Sequence, residues 1–145
     1  MGITFNYGLL LRWISLNQSL SIVPLIIYIG AIFWTLGYDT IYGFQDIKDD
    51  EIIRVKSSSI KFKNNLKKIL ILCYSITILC LIFLGILMDF NYLFYLFLIL
   101  SVLHLFLFQI KSVNINSPSS CLKMFKSNNL LGFIIFFNIL SGKIL

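Results

Sequence analysis

The chain is short of charge, and shortest of negative charge. Of its 145 residues only 12% are Asp, Glu, Lys or Arg, against about 25% in an ordinary soluble domain. Hydrophobic residues make up 59% and the mean hydropathy is +0.92. Together these values exclude a water-soluble domain. The three cysteines, Cys73, Cys80 and Cys121, form no C-x-x-C pair, so a zinc site of that type is excluded and they read as small apolar fillers. The single histidine, His104, lies in an apolar run and reads as a hydrogen-bonded packing residue rather than a catalyst. Strict apolar-polar alternation is missing, and the apolar runs are too long for strands. No basic segment leads into a short apolar core and a small-residue cleavage site, so no signal peptide is expected. Of the two prolines, Pro24 sits near a helix start and Pro118 is expected to mark a loop.

What remains is a series of apolar runs long enough for a bilayer, which needs about 20 residues per helix. Ile22–Leu36 runs on through Gly37, and Leu66–Met88, Tyr92–Ile110 and the slightly short Asn129–Leu145 follow. The opening MGITFNYGLLLRWISL resembles the trailing part of a fifth helix. The expected class is an all-α membrane protein with four complete transmembrane helices and a partial N-terminal one. The links are a short uncharged one near 17–21, a long charged one from Gly43 to Asn65, a tight turn at Asp89–Asn91, and a basic one from Lys111 to Asn128. Ten of the twelve cations belong to the second and fourth links or their helix ends. If each run crosses once, both links share one side, and the positive-inside rule makes that side cytoplasmic, or the matrix side in a mitochondrion. This placement explains the net charge of +6 without a nucleic-acid partner.

The six acids are not scattered. Asp39, Asp46, Asp49, Asp50 and Glu51 fall within thirteen positions, leaving only Asp89 elsewhere. If the helix continues past Leu36, Asp46 and Asp50 each lie about 20° from Asp39, and Tyr42 about 60° away. The expected result is a carboxylate stripe at the membrane edge, where ionisable residues signal function. Either Gly37 or Gly43 could interrupt it. Mg²⁺ suits such a stripe, because it takes oxygen ligands and binds through one or two carboxylates plus a phosphate. Lys56 follows in VKSSS, a cation placed for a phosphate.

These residues carry a resemblance. YDTIYGFQDIKDD followed by VKSSSIKF is similar to the second aspartate-rich motif of the UbiA family, and within it to the 4-hydroxybenzoate polyprenyltransferases of ubiquinone biosynthesis. ITFNYGLLLRW resembles the family's fifth helix; FQI at Phe108–Ile110 and CLKMFKSNNLLG at Cys121–Gly132 resemble its last loop and final helix. The resemblance implies the C-terminal half of a UbiA-type helical bundle, residues 1–145, without the first motif of Asn-Asp-x-x-Asp type. It implies Asp46, Asp50 and Tyr42 as catalytic residues, Asp39, Asp46, Asp49 and Asp50 as Mg²⁺ ligands, and Lys56 and Ser57 against a diphosphate. The implied substrates are a polyprenyl diphosphate, whose tail lies among helices and lipid, and 4-hydroxybenzoate. The implied place is a bacterial or mitochondrial inner membrane. A separately encoded N-terminal half is a partner this reading allows, and the chain is expected to be inactive alone. Arg54 stands where the family usually has Gly, and Ser58 where it has Thr. Two other readings stay open: a UbiA-type enzyme with another acceptor, and a non-catalytic membrane subunit keeping a Mg²⁺ or lipid-phosphate site.

Overall fold

The computed structural model describes residues 2–19, 21–47, 52 and 58–144. Among them there is no strand. The elements are α1 (Gly2–Asn17), α2 (Ile22–Gly43), a short α3 (Ser58–Phe62) running through a 3₁₀ turn (Lys63–Asn65) into α4 (Leu66–Leu87), α5 (Tyr92–Val102) continuing as a π-helical segment (Leu103–Ile110), and α6 (Pro118–Ile144). Among the described residues four stretches are long and apolar enough to cross a membrane: Ile22–Gly43, Ser59–Leu87, Tyr92–Ile110 and Pro118–Lys143. This is an integral membrane protein of the all-α class, with α1 as the shorter fifth helix.

α2 is the centre of the bundle. It packs most extensively on α4 and also touches α1 and α6, while α6 packs along α5. The core holds Ile41, Leu70, Tyr74, Phe94, Leu105 and Leu131, all fully buried. Close approach of α2 to α4 depends on glycine. A methyl group at Gly37 would overlap the Tyr74 ring, and one at Gly30 would sit 3.0 Å from Cys80 Cβ.

The two ends of the bundle differ. At one end the turn after α4 is tight: Asp89 is left-handed at φ 50°, and Phe90 N–H returns to Gly85 O at 2.9 Å. Asn91 then caps α5, its side chain accepting from the N–H groups of Leu93 and Phe94. The same side chain donates to Ser141 O at 3.0 Å, tying the last turns of α6 to the start of α5. At the other end lie the C-terminus of α2, the 3₁₀ turn and the link before α6. Ile47, Lys63 and Pro118 line one cavity there, so the two cation-rich links do share one side.

Two expected boundaries are corrected. The last helix begins at Pro118, eleven residues before Asn129. Proline suits the first turn because its missing N–H needs no partner there, and Ser120 N–H reaches Ser117 Oγ at 3.4 Å. Pro118 therefore starts a helix instead of marking a loop. The polar look of this stretch comes from one face: Lys123 and Lys126 are exposed while Cys121, Met124, Asn128 and Leu131 are buried, at the spacing of an amphipathic helix. The second span likewise starts earlier than Leu66, at Ser59.

We predict that Gly37→Val lowers the unfolding free energy by about 1–3 kcal/mol through overpacking, measured by thermal unfolding in detergent. Gly8, in mid-helix with nothing within 4 Å of its added Cβ, is the control, and Gly8→Ala should not destabilise, since alanine gains up to about 1 kcal/mol over glycine inside a helix. Equal stability of the two variants would show that the α2–α4 contact is not tight.

Candidate functional site

The acidic motif straddles the end of α2. Asp39 is half-buried on its last-but-one turn, Tyr42 is exposed on the last, and Asp46 is exposed on a bend beyond it. The helix stops because the chain turns: Gln45 N–H bonds to Tyr42 O at 2.9 Å and Phe44 N–H to Ile41 O at 3.2 Å. Phe44 then plugs into the core at 2% exposure. Gly43 leaves room for the side chain of Ser59. Ser59 Oγ lies where a Cβ on Gly43 would be and donates to Thr40 O at 3.1 Å.

The expected stripe is thereby corrected. Asp46 does not stand about 20° from Asp39 on one continuous helix, since the helix ends three residues before it. The position is that of an acid just past a helix C-terminus, facing the link. Asp49, Asp50, Lys56 and Ser57 lie outside the described residues. Ser59, the last serine of VKSSS, was not singled out from sequence; buried at 1% exposure, it stitches this element to α2.

Asp46 and Lys63 line a cavity of about 340 Å³ together with Gln45 and Asn116. A second, of about 390 Å³, adjoins at Lys63 and Ile115 and is bordered by Lys67 and Lys68. This end of the bundle therefore combines a carboxylate, amides and ammonium groups in pockets large enough for a diphosphate and water. Among the described residues no three His, Cys, Asp or Glu side chains converge on one point. Asp39 and Asp46 supply oxygen donors of the kind a hard divalent cation accepts.

Tyr42 is held from behind. Its ring lies 4.6 Å from that of Phe125 on α6. Phe125 also meets Tyr38 at 5.7 Å, and Tyr38 meets Trp34 edge-on at 5.9 Å. The ladder ends on a buried polar network that sequence reasoning missed. Trp34 Nε1 donates to Asn128 Oδ1 at 2.9 Å, and Gln109 Nε2 donates to the same oxygen at 3.0 Å. Tyr74 hydroxyl donates to Gln109 Oε1 at 2.6 Å. Gln109 and Tyr74 are fully buried. Four elements, α2, α4, the π segment and α6, thus meet at two side-chain amides. The available signal was a lone glutamine near the end of an apolar run, since polar side chains inside spans usually bind neighbouring helices.

The fold and site define a polytopic helical membrane protein with an acidic motif and a lysine-rimmed cavity at one end. A profile of the UbiA prenyltransferase family matches residues 1–139, and the chain belongs to that family. A Caenorhabditis elegans protein named 4-hydroxybenzoate polyprenyltransferase, mitochondrial, is 38% identical over 146 residues, covering all of this chain and 41% of the relative. A Bos taurus protein of the same name is 38% identical over 99% of this chain and 39% of its own length. A Francisella tularensis protein named 4-hydroxybenzoate octaprenyltransferase is 34% identical over 94% of this chain and 48% of the relative. The chain spans less than half the length of these curated relatives. No solved structure matches it.

We predict that Gln109→Leu and Asn128→Leu each cost about 1–3 kcal/mol, because each orphans buried donors. The double variant should cost less than their sum, with a coupling of about 0.5–3 kcal/mol, read from detergent unfolding of all four chains in the cycle. Strict additivity would mean that the two amides do not act together.

Proposed function

We propose that the chain supplies the diphosphate-gripping half of an aromatic prenyltransferase that transfers a polyprenyl group to the ring of 4-hydroxybenzoate in ubiquinone biosynthesis. The observation that carries the reading is the cavity shared by Asp46 and Lys63 at the end of α2, inside the stretch that matches the family. The names of the relatives from worm, cattle and bacterium support the acceptor. The positive-inside rule puts the motif end on the cytoplasmic or matrix side of a bacterial or mitochondrial inner membrane.

The roles follow from side-chain chemistry. Asp39 and Asp46, with Asp49 and Asp50 beside them in sequence, are the carboxylates that would hold Mg²⁺. When bound, the metal supplies Lewis-acid neutralisation of the departing diphosphate. Lys63 brings an ammonium to the same cavity, and Lys56 and Ser57 add a cation and a hydroxyl near it in sequence, each suited to phosphate oxygens. Tyr42 follows Asp39 by three residues, so it lies on a neighbouring part of the helix face. Its exposed ring, backed by Phe125, offers a π face to the positive charge that develops on an allylic carbon as its bond to diphosphate lengthens. The prenyl tail belongs with the apolar helix faces and lipid. The Asn-Asp-x-x-Asp element is not among these 145 residues, so turnover requires it from a further segment, joined or separately encoded.

The expected outcome is magnesium-dependent prenylation of 4-hydroxybenzoate by membranes holding this chain together with a UbiA-type N-terminal half, and none by this chain alone. Asp46→Ala with Asp50→Ala should lower turnover by about 100-fold or more, the scale of losing a key electrostatic group, while leaving assembly of the two halves intact. Turnover that persists in the double variant would refute the assignment. Loss of assembly with no effect on turnover per assembled complex would favour a scaffold role.

A further inference from the structure

We propose that the lysine-rich cavity at the start of α4 binds the phosphate of an anionic glycerophospholipid of the cytoplasmic or matrix leaflet, with an acyl chain laid along the exposed face of α4. The cavity, of about 390 Å³, is lined by Lys63, Asn64, Asn65, Lys67 and Lys68 around the start of α4 and by Asn114 from the link before α6. Three ammonium groups and three amides border one space, and among the described residues no carboxylate lines it. Lys63 also lines the cavity of Asp46; Lys67 and Lys68 belong to this one alone. Both are exposed, and among the described residues neither has a hydrogen-bond or ion-pair partner. Asn114 Oδ1 accepts from Asn116 N–H at 3.0 Å, which leaves Nδ2 free to donate.

Depth places these groups among headgroups. Ile69–Leu87, the part of its span after Lys68, holds no charged residue. It is roughly 28 Å long at 1.5 Å per residue, close to the roughly 30 Å of a bilayer's hydrocarbon. The neighbouring span, Tyr92–Ile110, is 19 residues long and is followed at once by Lys111. Lys67 and Lys68 before one span and Asn114 after the other therefore stand at the hydrocarbon boundary or just outside it. This is the cation-rich end of the bundle, whose leaflet carries anionic lipids and attracts lysines close to the membrane.

The face of α4 selects a lipid over a free anion. Leu72, Leu79, Phe83 and Ile86 are exposed and lie within roughly 60° of Lys68 around the helix. An apolar strip, interrupted only by the half-buried Ser75, thus descends from the ammonium groups. A phosphate with an acyl chain behind it matches that arrangement along its length. The lysine stems can lie on the strip while their charged heads reach the headgroup level. A free phosphate would use the cations and leave the strip unused. A diphosphate carried by a divalent cation calls for carboxylates, and Asp46 lines the adjoining cavity instead.

Native mass spectrometry of the full chain, released from detergent micelles doped with lipid, tests the site. Wild type should retain phosphatidylglycerol about 10-fold or more tightly than phosphatidylcholine with the same acyl chains. Lys67→Gln with Lys68→Gln should lower the affinity for phosphatidylglycerol by roughly 10–30-fold, at about 5-fold per lysine, and leave that for phosphatidylcholine unchanged. Lys123→Gln with Lys126→Gln removes the same charge from exposed positions of α6 outside the cavity and should leave both affinities nearly unchanged. Geranyl diphosphate with magnesium should not displace the phosphatidylglycerol. Equal retention of the two lipids by wild type would show that the headgroup is not selected and overturns the proposal. So does an equal loss in the two double variants, the mark of diffuse surface charge, or displacement by geranyl diphosphate, which would give the cavity to the prenyl donor. Phosphatidylglycerol binding that vanishes once a UbiA-type N-terminal half is assembled with the chain would make the α4 face a protein interface and overturn it as well.

Discussion

Inside a bilayer a polar side chain finds no water, so its partner must come from the protein or from lipid. Gln109 shows what that constraint does here. Its one oxygen takes the hydroxyl of Tyr74 on α4, and its nitrogen reaches Asn128 on α6, which in turn holds Trp34 on α2. Apolar packing alone would let these helices slide, because lipid tails are as apolar as leucine. The amide pair fixes their register. The close α2–α4 approach at Gly37 then follows, since the ring that fills the space of the absent side chain is that of Tyr74.

Much of the architecture was legible in the amino acids. Each of the four spans was placed with at least one boundary right to within two residues, because runs such as Leu66–Met88 are continuous and bounded by charge. Tyr92–Ile110 coincides with its span. The misplaced start of α6 has a physical cause. Lys123, Lys126 and Asn129 lower the local hydropathy, yet they occupy one exposed side of a helix whose other side is buried. A window average cannot see that division; the periodicity of Cys121, Met124, Asn128 and Leu131 can. The π segment left no comparable trace, since LHLFLFQI is apolar at nearly every position and gives no period to read.

The site divides similarly. The concentration of acids was visible at once, and the described part of the structure puts Asp46 with Lys63 on a cavity. The helical stripe was not borne out, because it presumed that a helix entering an acidic, glycine-bearing stretch would continue. Gly43 is where it stops, and the partner that occupies the space beside it, Ser59, is sixteen residues away in sequence. A tertiary contact decided a local boundary. For the same reason Phe125 could not be assigned a role in advance: nothing in its own neighbourhood points to Tyr42.

That contact links the two halves of the account. Tyr42 and Asp39 sit on the last two turns of α2, where a helix end would ordinarily fray. Here those turns are braced by a ladder of rings, Trp34 to Tyr38 to Phe125 to Tyr42, with successive centroids 4.6–5.9 Å apart. One rung belongs to α6, and the ladder's foot is the indole bonded to Asn128. The orientation of the motif therefore depends on the amide network a few turns below it. A change at Gln109 would reach Tyr42 and the turn that carries Asp39 through α6 and the ladder. Polar residues buried in a span and carboxylates at its edge are then two ends of one rigid unit. The bilayer enforces the first, and the rigidity that results holds the second.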